Sequence, residues 1–342
     1  MIKKEAISLA VEKARFYLRD SRNLVLRQFG LLKLSTLILA LTDKCNLKCV
    51  MCDIWERKGE ESRELDFSKI RQLLELDDLK QLKHISLTGG EPFLRKDLCE
   101  IVLAIQGSYP RSSITISSNG TLTGQIMDFL RRTQQYTNIS IELSLLGIKT
   151  HDDISGIKGS FANLENTIHE VRNGFPALNL KAKFVITPWN YLTIKETADY
   201  CREQNIPLMF KIVENVRSYT NSLKYRQNLV NKSLIFNAEQ LKSIIDALKK
   251  LRNSRTVNRV CTGQLINCLE GKKISKKCFV PFLSLFINSE GSIYRCRMHD
   301  PIGSISKDPF NFITAGNQLA ENRLDGDSQM CGQCVSLLRF LM

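Results

Sequence analysis

The chain has 342 residues, of which 43% are hydrophobic and 25% charged, as is ordinary for a soluble globular protein with room for one large domain or two. Its formal charge of +14 admits a nucleic-acid partner. The basic residues are dispersed, however, apart from Lys272-Lys273 and Lys276-Lys277. With no arginine–aromatic stripe, no clear nucleic-acid partner is expected. A solvated basic surface is the main reading, with an acidic redox partner or an anionic substrate as the others. Eleven cysteines with no secretory signal ahead of them point to a reducing, cytoplasmic setting in which clustered thiols bind metal. The most apolar early stretch, Leu31–Thr42, is broken by Lys33 and is far short of a transmembrane segment.

In chain order, residues 3–29 read as an amphipathic helix with Ile7, Ala10, Val11, Ala14 and Leu18 at helical spacing. From Ser35 to about Arg255, strands and helices alternate. Strands are expected at Thr36–Thr42, His84–Thr88, Ser113–Ser118, Ile139–Leu145, Leu180–Thr187 and Leu208–Val213. Helices are expected at Phe67–Leu76, Leu98–Gln106, Thr123–Arg132, Phe161–Arg172, Ile194–Gln204 and Ala238–Leu251. Six such units in succession predict an α/β fold with a parallel sheet partly closed into a (β/α)6 TIM-like barrel, whose chemistry sits where strands end. The polar connection Glu214–Asn237 is either a flap or a plain surface loop. After Arg255 cysteines become dense, helical periodicity fades, and strand-like pieces at Ser284–Ile287 and Ser292–Tyr294 flank a Ser-Glu-Gly turn. This pattern suggests a small metal-stapled module. Three parts are expected: an N-terminal helix (1–34), a core (35–255) and a cysteine-rich domain (256–342).

The run from Cys45 through Cys49 to Cys52 follows the first strand. Three clustered thiolates can hold three irons of a cubane cluster and leave the fourth open to a small molecule. Structural zinc is the rival, although zinc usually takes four protein ligands. After the second strand comes Thr88-Gly89-Gly90-Glu91-Pro92, where two glycines permit close backbone approach to a ligand and Glu91 supplies an acceptor. Together these motifs resemble the radical S-adenosylmethionine (SAM) superfamily. The resemblance implies a 4Fe-4S cluster on Cys45, Cys49 and Cys52, with SAM chelating the open iron. It also implies SAM contacts from Gly89, Gly90, Glu91 and Pro92, from Ser117 and Asn119 at the end of the third strand, from Ser144 at the end of the fourth, and from Met51 against adenine. Thr187-Pro188-Trp189-Asn190 is a weaker candidate for adenine or ribose. Two departures stand out: Leu146 replaces the acid of the family's Ser-Leu-Asp-Gly, and Ser155 stands where an arginine is usual, leaving Lys158 as a candidate cation.

Cys278, Cys296, Cys331 and Cys334 resemble the twitch module, the shorter relative of the SPASM extension, which implies a second, auxiliary 4Fe-4S cluster. A zinc ribbon is the alternative. Cys99 and Cys201 read as buried helix residues, while Cys261 and Cys268 are open between spare ligand and reactive thiol. His84, His151, His169 and His299 form no spaced pair and are taken as surface residues. The resemblance implies reductive cleavage of SAM, hydrogen abstraction from a carbohydrate-like small molecule or a peptide, and a flavodoxin- or ferredoxin-type reductant. Oxidation or modification is the expected outcome. A non-oxidative epimerase with a cysteine hydrogen donor and a zinc-stabilised binding protein are the alternatives.

Overall fold

Residue alternation builds the sheet from its first strand, β1 (Thr36–Thr42), where Leu37, Leu39 and Leu41 point to one face and are essentially inaccessible. Period-two patterning of this kind places one set of side chains in the core and the other opposite. The computed structural model describes residues 33–52, 54–56, 64–213, 234–272, 279–296 and 301–305, together with Asn23 and Leu26. Most of the expected N-terminal helix, and the connection 214–233, lie outside the described residues.

The six expected strand–helix units are present. After β1 come α1 (Phe67–Leu74), β2 (His84–Gly89), α2 (Leu98–Ser108), β3 (Ser113–Ser118), α3 (Thr123–Thr133) and β4 (Ile139–Leu145). They are followed by α4 (His151–Ser155), α5 (Ser160–Gly174), β5 (Asn179–Ile186), α6 (Ile194–Glu203), β6 (Leu208–Ile212) and α7 (Ala238–Leu251). Strands β1 to β6 pair in parallel in sequence order, as the backbone of a partial TIM-like barrel does. Their apolar sets, such as Ile85, Ile116, Leu143 and Phe184, join helix residues such as Ile101, Phe129, Leu164 and Cys201 in one core. That face is therefore the helix-covered one, and its opposite is the concave interior.

Beyond Arg255 the expectation of fading helicity is corrected. Residues Arg259–Leu269 form a helix, α8, capped by Asn258, whose side chain accepts from the Cys261 N–H at 2.9 Å. A short helix α9 (Val280–Leu283) then leads into β7 (Ser284–Ile287), β8 (Ser292–Tyr294) and β9 (Gly303–Ser304). The two strand-like pieces are thus strands, but they continue the barrel sheet. β7 runs parallel to β1, with Thr36 opposite Ser284 and Leu39 opposite Ile287, and β8 and β9 follow antiparallel. Among the described residues one nine-stranded sheet results, with the order β6-β5-β4-β3-β2-β1-β7-β8-β9. The Asn288–Gly291 turn between β7 and β8 is closed by Asn288 Oδ1, which accepts from Ser292 N–H at 2.7 Å, and Gly291 sits at φ +86°. Among the described residues no helix is long and apolar enough to cross a membrane.

Candidate metal centre and its surroundings

The cysteine loop leaves β1 at Thr42 and is held from three directions, one by a side chain and two by backbone. Thr42 Oγ1 donates to the Glu64 carboxylate at 2.6 Å, and the Asp43 N–H reaches the same oxygen at 3.2 Å. From β2, Gly90 N–H donates to Thr42 O at 2.7 Å and Glu91 N–H to Lys44 O at 2.8 Å. From the segment after β4, Ser155 O accepts from Lys48 N–H at 2.8 Å and Ile154 O from Val50 N–H at 2.9 Å. Within the loop, Cys52 N–H returns to Cys49 O at 3.0 Å, and the Trp55 indole N–H bonds the same carbonyl at 3.2 Å.

This docking explains the two glycines. A Cβ on Gly90 would overlap the Lys44 carbonyl oxygen, and one on Gly89, at φ +128°, would overlap that of Thr42. The close approach read from the sequence is therefore made by the chain's own cysteine loop. Glu91 is also put to internal use. Its side chain is inaccessible, and its oxygens accept from Phe93 N–H at 3.1 Å, Ser118 Oγ at 2.9 Å and Asn119 N–H at 2.7 Å. Burial pushes this carboxyl up to about 7 in spite of the three donors. Pro92 is buried and opens a short helical turn, Pro92–Leu94.

Asn119 links the end of β3 to the cysteine loop. Its amide N–H donates to Asn46 Oδ1 at 2.8 Å and lies 4.0 Å from Cys45 Sγ, and its Oδ1 accepts from Thr121 Oγ1 at 2.7 Å. Met51 is half-buried between Cys49 and Cys52. Ser117 and Ser144 are on the concave face. Ser117 donates to Glu142 at 3.5 Å, and Ser144 stands opposite Lys183 in the β4–β5 ladder.

Burial raises the Cys45 thiol. It also pushes Cys49 up to about 12, with the neighbouring Cys52 and Cys45 adding to the effect. Cys45 and Cys49 thus disfavour negative charge unless a cation neutralises it, which is the condition a metal or cluster satisfies. No three His, Cys, Asp or Glu side chains among the described residues converge on one ion-sized site. Thiolates that each bind a different iron of a cluster have no need to do so.

Other sequence readings change in detail. Ser155 is buried, and its Oγ lies 2.7 Å from that of Ser160, so it braces the loop that carries Gly156 and Gly159. Lys158 is exposed. The inner wall carries cations that the motifs did not point to: Lys181 and Lys183 on β5 and Lys211 on β6, of which Lys183 pairs with Glu142. Asn190 is fully buried. Its amide donates to Leu146 O at 3.1 Å and Val185 O at 2.9 Å, strapping the β4 and β5 ends together, while Trp189 is exposed. His151 is a correction. It is inaccessible, with Nδ1 accepting from Leu146 N–H at 3.3 Å and Nε2 partnerless among the described residues. Cys99 and Cys201 are buried in α2 and α6 as expected. Cys261 is buried on α8 and packs with Met209 and Cys268. Cys296 follows β8, whereas Cys278, Cys331, Cys334 and His299 lie outside the described residues.

Two family models match the chain: one described as the radical SAM superfamily over residues 39–202, the other as an iron–sulfur cluster-binding domain, SPASM, over residues 278–335. The chain carries a radical SAM domain. With the SPASM domain it implies a 4Fe-4S cluster, SAM and an auxiliary cluster as cofactors.

Among relatives of this radical SAM chain is an Fe-coproporphyrin III synthase of Methanosarcina barkeri, 31% identical over 196 residues, which are 56% of this chain and 47% of that protein. A probable GTP 3′,8-cyclase of Methanocaldococcus jannaschii is 25% identical over 187 residues, 53% and 59% of the two chains. The chain thus spans about half to three-fifths of the relatives it matches. Among solved structures, Streptococcus suis SuiB bound to precursor peptide SuiA superposes with TM-score 0.65 at 15% identity, covering 94% of this chain and 75% of that one. The protein anSMEcpe with bound AdoMet and Cp18Cys peptide gives 0.59 at 19% identity, with 90% and 87% covered. At these identities the structures show a shared fold.

Proposed function

We propose that this enzyme reductively cleaves SAM and abstracts a hydrogen atom from a carbohydrate-like small molecule or a peptide, with oxidation or modification as the outcome. The observation that carries the reading is the cysteine loop docked by backbone onto the Gly89-Gly90 turn and onto Ile154-Ser155. Cys45, Cys49 and Cys52 would hold three irons, and the loop leaves no fourth cysteine beside them. When bound, cluster and SAM together supply a 5′-deoxyadenosyl radical.

The chain's own residues position and shield. The inward Glu91 carboxylate fixes the ends of β2 and β3 relative to each other, which leaves backbone groups of Gly89 and Gly90, and the hydroxyls of Ser117 and Ser144, to meet SAM. Asn119 orients Asn46 and stands beside Cys45. Cys278, Cys296, Cys331 and Cys334 are assigned to the auxiliary cluster, a division of chemistry at residue 255. β7 follows β1 in the sheet, so the two parts share a scaffold.

The likeness to two peptide-bound structures supports a peptide, while the named small-molecule relatives support the other class. A cytoplasmic setting and a flavodoxin- or ferredoxin-type reductant accompany the reading. A second reading, non-oxidative turnover with a thiol hydrogen donor, draws on Cys261 packing against Met209 of β6. Turnover that consumes no net oxidant or reductant would favour it.

Anaerobic reconstitution followed by metal and sulfide analysis tests the cofactor assignment. The expected content is about eight iron and eight sulfide per chain. Zinc without sulfide would support a metal-stabilised binding protein instead.

A further inference from the structure

The concave face of the sheet has two unlike walls. One is apolar. Ile38 and Ala40 of β1, Phe286 of β7 and Tyr294 of β8 form a cluster apart from the helix-covered core, with the two rings 5.6 Å apart. The other wall is polar, with Ser117 on β3, Glu142 and Ser144 on β4 and Lys183 on β5. Closed barrels of this class fill their interior with layers of branched apolar side chains. Hydroxyls and an ion pair do not fill it in that way.

The ion pair joins Lys183 Nζ to Glu142 Oε1, their side chains only 22% and 11% exposed, with Ser117 Oγ donating to the same oxygen. Drawing two charges out of water costs about as much as their attraction returns. β4 and β5 are already joined by a six-residue backbone ladder from Ser140 to Leu145. Stability therefore gives no reason for the pair, whereas a charged pair on a concave wall suits ligand recognition.

We infer that Lys183 and Glu142 form a substrate-recognition subsite for a ligand that joins an anionic group, carboxylate or phosphate, to a planar or apolar body. The anion takes Lys183 from Glu142, and the body lies against the Phe286–Tyr294 wall. The inference rests on the radical SAM reading and deepens it, because it names the chemistry of the molecule presented to the radical.

The test uses the reconstituted protein with SAM and three probes: 3-phenylpropionate, phenyl phosphate and the neutral 3-phenylpropan-1-ol, with binding followed by calorimetry or ligand-observed NMR. At least one anionic probe should bind at least tenfold more tightly than the alcohol, and the better of the two identifies the anion. Lys183→Met should weaken that probe at least tenfold, and Lys183→Arg should restore most of the affinity, which separates recognition from misfolding. Glu142→Gln should tighten the probe severalfold by releasing Lys183, an effect that a structural pair would not give. Equal binding of all three probes would overturn the subsite, as would weakening by Glu142→Gln. Loss of SAM affinity with probe binding intact in Lys183→Met would overturn it too, placing Lys183 in the cofactor pocket. Release of 5′-deoxyadenosine by the wild-type protein tests the radical SAM reading separately, so either can fail without the other.

Discussion

Gly90 is the point where the end of β2 meets the cysteine loop backbone to backbone, and a single methyl group tests that contact. Gly90→Ala drives a Cβ into the Lys44 carbonyl. The variant should lose about 1–3 kcal/mol of stability and retain less iron after reconstitution. Gly107, exposed near the end of α2 with nothing near its Cβ position, should accept alanine with a gain of up to about 1 kcal/mol. Equal behaviour of the two variants in urea unfolding and iron analysis would contradict the docking role. His151 carries the clearest pH signal. Burial lowers its imidazole to about 4, below the unfolded value near 6.5. The unfolded chain therefore binds more protons between those limits, and stability falls as pH drops through that window. The loss amounts to about 3 kcal/mol by pH 4. His151→Phe should remove that part of the slope when unfolding free energies at pH 7.5 and 5 are compared between variant and parent.

At the scale of elements, the segment from α4 into α5 behaves as a buttress. Helix α5 has no side-chain cap of its own. Asp152 supplies one from α4, accepting from Gly159 N–H at 2.6 Å, Phe161 N–H at 2.8 Å and Ser160 Oγ at 2.9 Å. Burial would raise this carboxyl, but the three donors outweigh it and hold it below its usual value. The same segment offers the Ile154 and Ser155 carbonyls to the cysteine loop. Asp152→Ala should cost about 1–2 kcal/mol, as lost caps do, and should lower the rate of SAM cleavage per bound cluster. An unchanged rate per cluster would confine Asp152 to capping. Strands β3 and β4 and helix α7 were legible to the residue because their alternation or helical period is uninterrupted and polar turns bound them. Helix α8 was not, because Thr262 and Gly263 interrupt its apolar face and its cysteines drew attention to metal. Its Asn258 cap was the available signal. The role of Glu91 was hidden for another reason: a motif shows that an acid is present but not which way it points.

For the molecule as a whole, the alternation of six strands and six helices announced the partial barrel. The joining of the C-terminal hairpin to β1 was not legible, since a four-residue apolar run such as Ser284–Ile287 carries no mark of its sheet partner. That joining puts Phe286 and Tyr294 on the same concave face as Glu142 and Lys183, and Cys296 two residues beyond Tyr294. One sheet therefore carries the cysteine loop, the polar wall and the approach to the second cysteine set. The central claim is that Cys45, Cys49 and Cys52 hold the cluster at which SAM is cleaved. Its most direct test is to incubate the anaerobically reconstituted protein with SAM and dithionite and to quantify 5′-deoxyadenosine. The wild-type protein should release it, and the variant with all three cysteines changed to alanine should release none. Equal release from both proteins would contradict the assignment.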